Sequence, residues 1–142
     1  MQGRRLAREC VLKGLYAQEI TRDRMESVIE DIMERENLRK EFREFCHDLT
    51  LDTHVHAEEL DEIIKSRSEH WEFGRIAMLD RLILRIAICE LLYYDDIPPK
   101  VSISEAIEIA KMYSTENSGS FVNGILDAVL QDLKQQGRVF TE

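Results

Sequence analysis

Proline is nearly missing from this chain, with two residues in 142, and glycine is scarce at six. So few turn formers exclude a many-stranded sandwich or barrel, which needs a tight turn every few residues. No apolar run reaches the 18 residues of a membrane span, and the arginines near the start are not followed by an apolar signal segment. The expectation is a cytoplasmic protein without membrane contact. Cysteine is represented only by Cys10, Cys46 and Cys89, widely spaced, set among apolar residues and without a CxxC pair. They read as reduced core fillers rather than ligands or nucleophiles. A glycine-rich phosphate loop, a GxSxG elbow and an HExxH pair are all lacking. His54 and His56 stand two apart, which on a helix separates them, and His47 and His70 have no nearby partner in sequence. No metal, no cofactor and no catalytic residue is expected.

Positive charge is also scarce. Nineteen Lys and Arg face 28 Asp and Glu, for a net charge of −9. That sign excludes coating nucleic acid by bulk attraction. The imbalance is uneven, however. Residues 1–13 hold Arg4, Arg5, Arg8 and Lys13 against Glu9, a net of +3, so the remaining 129 residues carry −12. Nucleic-acid contact must be local, and the acidic remainder suits a basic protein partner.

What is abundant is helical apolar spacing, with 44% hydrophobic residues in a length suited to one compact domain. The spacing predicts helices over residues 4–20 and 25–35. One long helix over 38–66 follows, bent where polar Asp52 and Thr53 interrupt its stripe. A short turn is expected near 73–78, and a helix over 79–94 with almost no polar face, which should be central. Asp95-Asp96-Ile97-Pro98-Pro99 ends it. Ser102 with Glu105 reads as a capping box that starts the next helix, running to about residue 113, with Val101 and Ala106 placed for a weak hydrophobic staple. Residues 114–120 form a polar loop, a last helix covers 118–136, and residues 137–142 should fray. The expectation is an all-α fold of six or seven helices in one domain.

The first helix is the best candidate for function. Arg4 and Arg8 share a face, and Arg5 and Tyr16, eleven residues apart, point the same way. Guanidinium groups bind phosphate and stack on bases, and a tyrosine ring adds a stacking platform. The same arginines also fit an ordinary solvated face. Asp80-Arg81 and Arg85-Glu90, in or beside the apolar helix, are either internal salt bridges or part of a partner surface.

Four blocks carry a resemblance: GRRLARECVLKGLY (3–16), HWEFGRIAMLDRLILRIAICEL (70–91), IPPKVSISEAIEIAKMYS (97–114) and FVNGILD (121–127). In this order and spacing the chain resembles the bacterial NusB family of transcription antitermination factors. The stretch 20–67 matches by helical pattern alone.

The resemblance implies about seven helices in two small bundles packed crosswise, spanning residues 1–142 as one RNA-binding domain, and no catalysis. It implies binding of the boxA element of nascent ribosomal RNA as a single strand. The implied protein partner is NusE, a small-subunit ribosomal protein, within the antitermination complex of RNA polymerase. By position it assigns RNA contact to Arg4, Arg5, Arg8, Tyr16, Asn117 and Phe121, and the NusE side to Asp80 and Arg85. Phe121 also fits a plain core position. Ser120 stands where a lysine is common, Asn117 where an acid is frequent, and Cys89 where a tyrosine is frequent. Gly124 reads as a close-approach glycine between helices. Competing functions are a helical adapter that binds only protein, and the RNA-recognition part of a ribosomal RNA cytosine methyltransferase. Monomer and homodimer both remain open.

Overall fold

The computed structural model describes residues 3–68 and 73–139. His70, Trp71 and the last three residues lie outside the described residues. Seven α-helices are present among the described residues: α1 (Arg4–Thr21), α2 (Met25–Arg35), α3 (Lys40–Val55), α4 (Ala57–Arg67), α5 (Met78–Tyr93), α6 (Pro99–Tyr113) and α7 (Ser118–Gln135). A 3₁₀ turn, Phe73–Arg75, precedes α5. Among the described residues there is no strand, and no helix is long and apolar enough to cross a membrane. The chain divides into two compact helical units, residues 1–55 and 56–142.

The first unit holds α1 to α3. Ala7, Val11, Leu12 and Leu15 of α1, Ile29 of α2 and Leu49 of α3 supply its buried core. Cys10 and Cys46 are free and fully buried here. A hydrogen bond with the Cys10 thiol, reinforced by burial, pushes the Cys46 thiol far up from its ordinary pKa. Asn37, at φ 58°, ends α2. Its N–H bonds Glu34 O at 3.1 Å and the Leu38 N–H bonds Met33 O at 3.0 Å, the paired closure of a helix that exits through a left-handed residue.

Close approach in this unit occurs at Gly14, where a Cβ would meet Ile29 Cδ1 at 2.9 Å. Gly124, expected to fill that role in α7, instead faces open space. Its helix packs through other residues of the turn. Gly124→Ala should therefore stabilise the protein by about 0.5–1 kcal/mol, because alanine has less backbone freedom to lose and nothing to displace. Urea denaturation of the parent and the variant checks this.

The expected single helix over 38–66 is two helices, α3 and α4, parted at His56 (φ −96°, ψ 16°). Thr50 and Thr53 hydroxyls donate to the carbonyls of Cys46 and Leu49, each at 2.7 Å, a back-bonding that disturbs the helical ladder. The apolar stripe changes purpose at the same place. Leu49 is buried in the first unit, Val55 is 74% exposed, and Leu60 and Ile64 are buried in the second.

The second unit centres on α5, in which Asp80, Glu90 and eight apolar residues are buried. Around it, side-chain bonds tie the helices together. Arg85 holds Asp61 of α4 through two bonds of 2.6 and 2.7 Å, and Arg67 of α4 holds Asp132 of α7 through two of 2.7 and 2.5 Å. The Ser102 hydroxyl of α6 donates to Glu90 Oε1 at 2.8 Å. Ser102 is therefore not the expected helix cap. Pro99 opens α6, its fixed φ suiting the first turn and its missing N–H costing nothing there, and this leaves Ser102 inside the helix and buried. Val101, at 43% exposed, makes no staple. Gly137, at φ 70°, closes α7. The segment after it is packed rather than frayed as far as residue 139: Arg138 reaches Glu59 at 3.4 Å and Val139 is buried.

Candidate nucleic-acid interface

In the first unit, helical periodicity puts Arg4 and Arg8 one turn apart on α1. Both guanidinium groups lie over the Phe45 ring of α3, at 4.4 and 5.3 Å from its centroid. The two differ in access. Arg4 is exposed, whereas Arg8 is 3% exposed. The shared face predicted for them is real, but at position 8 it turns inward onto α3. Arg8 is thus a packed residue and not a surface arginine. Arg5 and Tyr16 are exposed, Tyr16 at 43%. Phe45, read in sequence only as part of an apolar stripe, is the ring that organises the basic end of α1.

In the second unit, α5 and α7 begin at one place. Asp80, in the first turn of α5, is buried at 8% exposure, and its Oδ2 accepts the Ser118 hydroxyl at 3.1 Å. Ser118 is the first residue of α7. Its oxygen lies 3.0 Å from the hydroxyls of Ser114 and Thr115 and accepts the Thr115 N–H at 3.2 Å. This hydroxyl cluster fixes the start of α7 without help from Asn117, whose side chain makes no cap bond.

A cleft of about 260 Å³ opens there, lined by Arg75, Ile76, Asp80, Asn117 and Phe121 among others. Asn117 is exposed and Phe121 half-buried. The structure thus brings Asp80, expected on the protein-partner side, together with Asn117 and Phe121, expected on the RNA side. Arg85, expected beside Asp80 on the partner side, is instead paired internally. Its side chain is 13% exposed, that of Asp61 19%. The internal-salt-bridge alternative is the observed one, with Asp61 as partner in place of Glu90. Arg75 and Ser118 were not singled out in sequence. Arg75 sits inside the block 70–91, and a basic residue just before a helix start was the available signal.

Comparison with known proteins bears on both units. The model of the NusB family matches residues 5–131. The chain is 48% identical to the transcription antitermination protein NusB of Salinibacter ruber, over 98% of this chain and 88% of that protein. It matches the solved T. maritima NusB at 39% identity and a TM-score of 0.85, covering 92% of each chain. A structure of antitermination factors NusB and NusE in complex with dsRNA shares the fold at 24% identity and a TM-score of 0.78, over 91% of this chain and 96% of that one.

Proposed function

Since the chain belongs to the NusB family, we propose that it is a transcription antitermination factor that binds boxA-type single-stranded RNA of nascent ribosomal transcripts together with NusE. It acts as a non-catalytic component of the antitermination complex of RNA polymerase, with residues 1–142 serving as its RNA-binding domain. The observation that carries this reading is the placement of charge: Arg4 and Arg5 are both exposed in the first turn of α1, in a +3 segment of a chain whose remainder is −12. A local basic end contacts phosphate, and the acidic remainder attracts a basic ribosomal protein and speeds its association.

Arg4, Arg5 and Tyr16 are the proposed RNA residues of the first unit, Asn117 and Phe121 those of the second. The partner-side assignment of Asp80 and Arg85 finds little support in their burial and internal bonds. The test is fluorescence anisotropy with boxA-type RNA over a salt series, with and without purified NusE. Arg4→Ala combined with Arg5→Ala should lower the salt slope by about 0.7 for each phosphate of the single strand that is no longer neutralised. An unchanged slope and affinity would leave a helical adapter that binds only protein.

A further inference from the structure

We infer that Cys10 and Cys46 form a dithiol site that a hydroperoxide oxidises to a disulfide across the seam of α1 and α3, reached when the first turns of α1 open. The inference stands apart from the RNA-binding reading and concerns the first unit alone.

The first observation is the pair itself. Cys10 on α1 and Cys46 on α3 are each 0% exposed, neither is in a disulfide, and their thiols meet in a hydrogen bond between the two helices. Core filling asks only for a small apolar side chain at each position. Two thiols bonded to each other supply a nucleophile and a resolving partner as well. The bond also has a direction. Donation from the Cys46 S–H to the Cys10 sulfur holds the Cys10 thiol below its ordinary range and keeps the proton on Cys46. Cys10 is therefore the attacking sulfur and Cys46 the resolving one.

The second observation is a way in. Gly3, at the N-cap of α1, makes no side-chain cap bond, and the first turn holds no acid. Arg4 and Arg5 occupy that turn instead, at the positive end of the helix dipole. The bond that closes it, from the Ala7 N–H to Gly3 O, is long at 3.3 Å. Cys10 lies within about two turns of this end, so unwinding there uncovers it without unfolding the unit. Cys46 follows Phe45, the ring beneath Arg4 and Arg8, and the disulfide would tie α1 to α3 beside that basic end.

The chemistry balances with one equivalent of peroxide. The Cys10 thiolate attacks one peroxide oxygen, the O–O bond breaks, and the other oxygen leaves and takes the thiol proton. The resulting sulfenic acid is attacked at sulfur by Cys46. The S–S bond forms, the S–O bond breaks, and hydroxide leaves with the Cys46 proton as water. Two thiols lose two electrons, which reduce the peroxide.

The experiment treats the reduced, folded full chain with hydrogen peroxide, then denatures it and alkylates the remaining thiols for intact and peptide mass spectrometry. Two of the three thiols should disappear together into a Cys10–Cys46 linked peptide, and dithiothreitol should restore them. Cys46→Ser should stop at a Cys10 sulfenic acid that dimedone captures. Gly3→Asp tests the route. Its N-cap backbone is extended at φ −165°, a Cβ there meets nothing within 4 Å, and the new carboxylate caps the helix and complements its dipole. It should slow oxidation by about threefold or more. Retention of all three thiols in the folded parent, while the urea-unfolded chain oxidises, overturns the inference whether or not the variants fold. A linked peptide that includes Cys89 overturns it too. Oxidation of Gly3→Asp at the parent's rate overturns entry through the start of α1.

Discussion

Arg85→Ala should lower the unfolding free energy by about 2 kcal/mol, less than breaking a fully buried ion pair costs, because this pair is only partly buried. The pair it forms with Asp61 is bidentate and joins α5 to α4, with the two side chains 13% and 19% exposed. Removing the guanidinium strands a partly desolvated carboxylate, and that penalty outweighs the modest value of the pair itself. Asp61→Ala should cost a similar amount, and the double variant should cost much less than the sum, because neither charge is then left alone. Urea denaturation of the three variants and the parent measures the coupling. Unchanged stability for Arg85→Ala, with weakened NusE binding, would restore the partner-surface role that its position in the family suggests.

Helix content was legible because it depends on local spacing. The stripes of α1, α2 and α5 appear in the sequence at the positions the structure uses, and α2 spans the predicted residues. Features set by contacts between distant residues were not legible. Nothing near Ser102 announces Glu90, twelve residues earlier, as the acceptor that draws its hydroxyl away from a cap. The break at His56 comes just after two threonine hydroxyls that bond carbonyls of their own helix, a choice that spacing alone does not reveal. Gly14 and Gly124 are both glycines within helices, and only the neighbour across the interface distinguishes them: Ile29 for one, open space for the other.

The candidate site divides along the same line. Exposure of Arg4, Arg5 and Tyr16 follows from helix faces. The meeting of Asp80 with Asn117 and Phe121 depends on a bond spanning 38 residues, from Ser118 to Asp80. In sequence, an acid in the first turn of an apolar helix has a sufficient explanation in the helix dipole, worth roughly 0.3–1 kcal/mol. Only burial together with the bond from Ser118 points past it.

Arg8 gives the sharpest separation of folding from binding. Its guanidinium lies over Phe45 and only 3% of its surface is exposed, so truncation removes the packing of a long stem along with a shielded cation–π interaction. Arg8→Ala should cost about 2 kcal/mol of stability, within the range of large single-site losses in a core. Lysine should restore only part of it, because a compact ammonium does not stack as a flat guanidinium does. Arg4→Ala with Arg5→Ala should behave in the opposite way, lowering the salt slope of RNA binding while thermal unfolding barely moves. Measuring unfolding and salt-dependent RNA binding on both variants tests the two assignments together. If Arg8→Ala unfolds like the parent yet loses salt-dependent affinity, Arg8 leaves its place over Phe45 to meet the RNA. A stability loss with an unchanged slope assigns Arg8 to the core of the first unit and leaves the phosphates to Arg4 and Arg5.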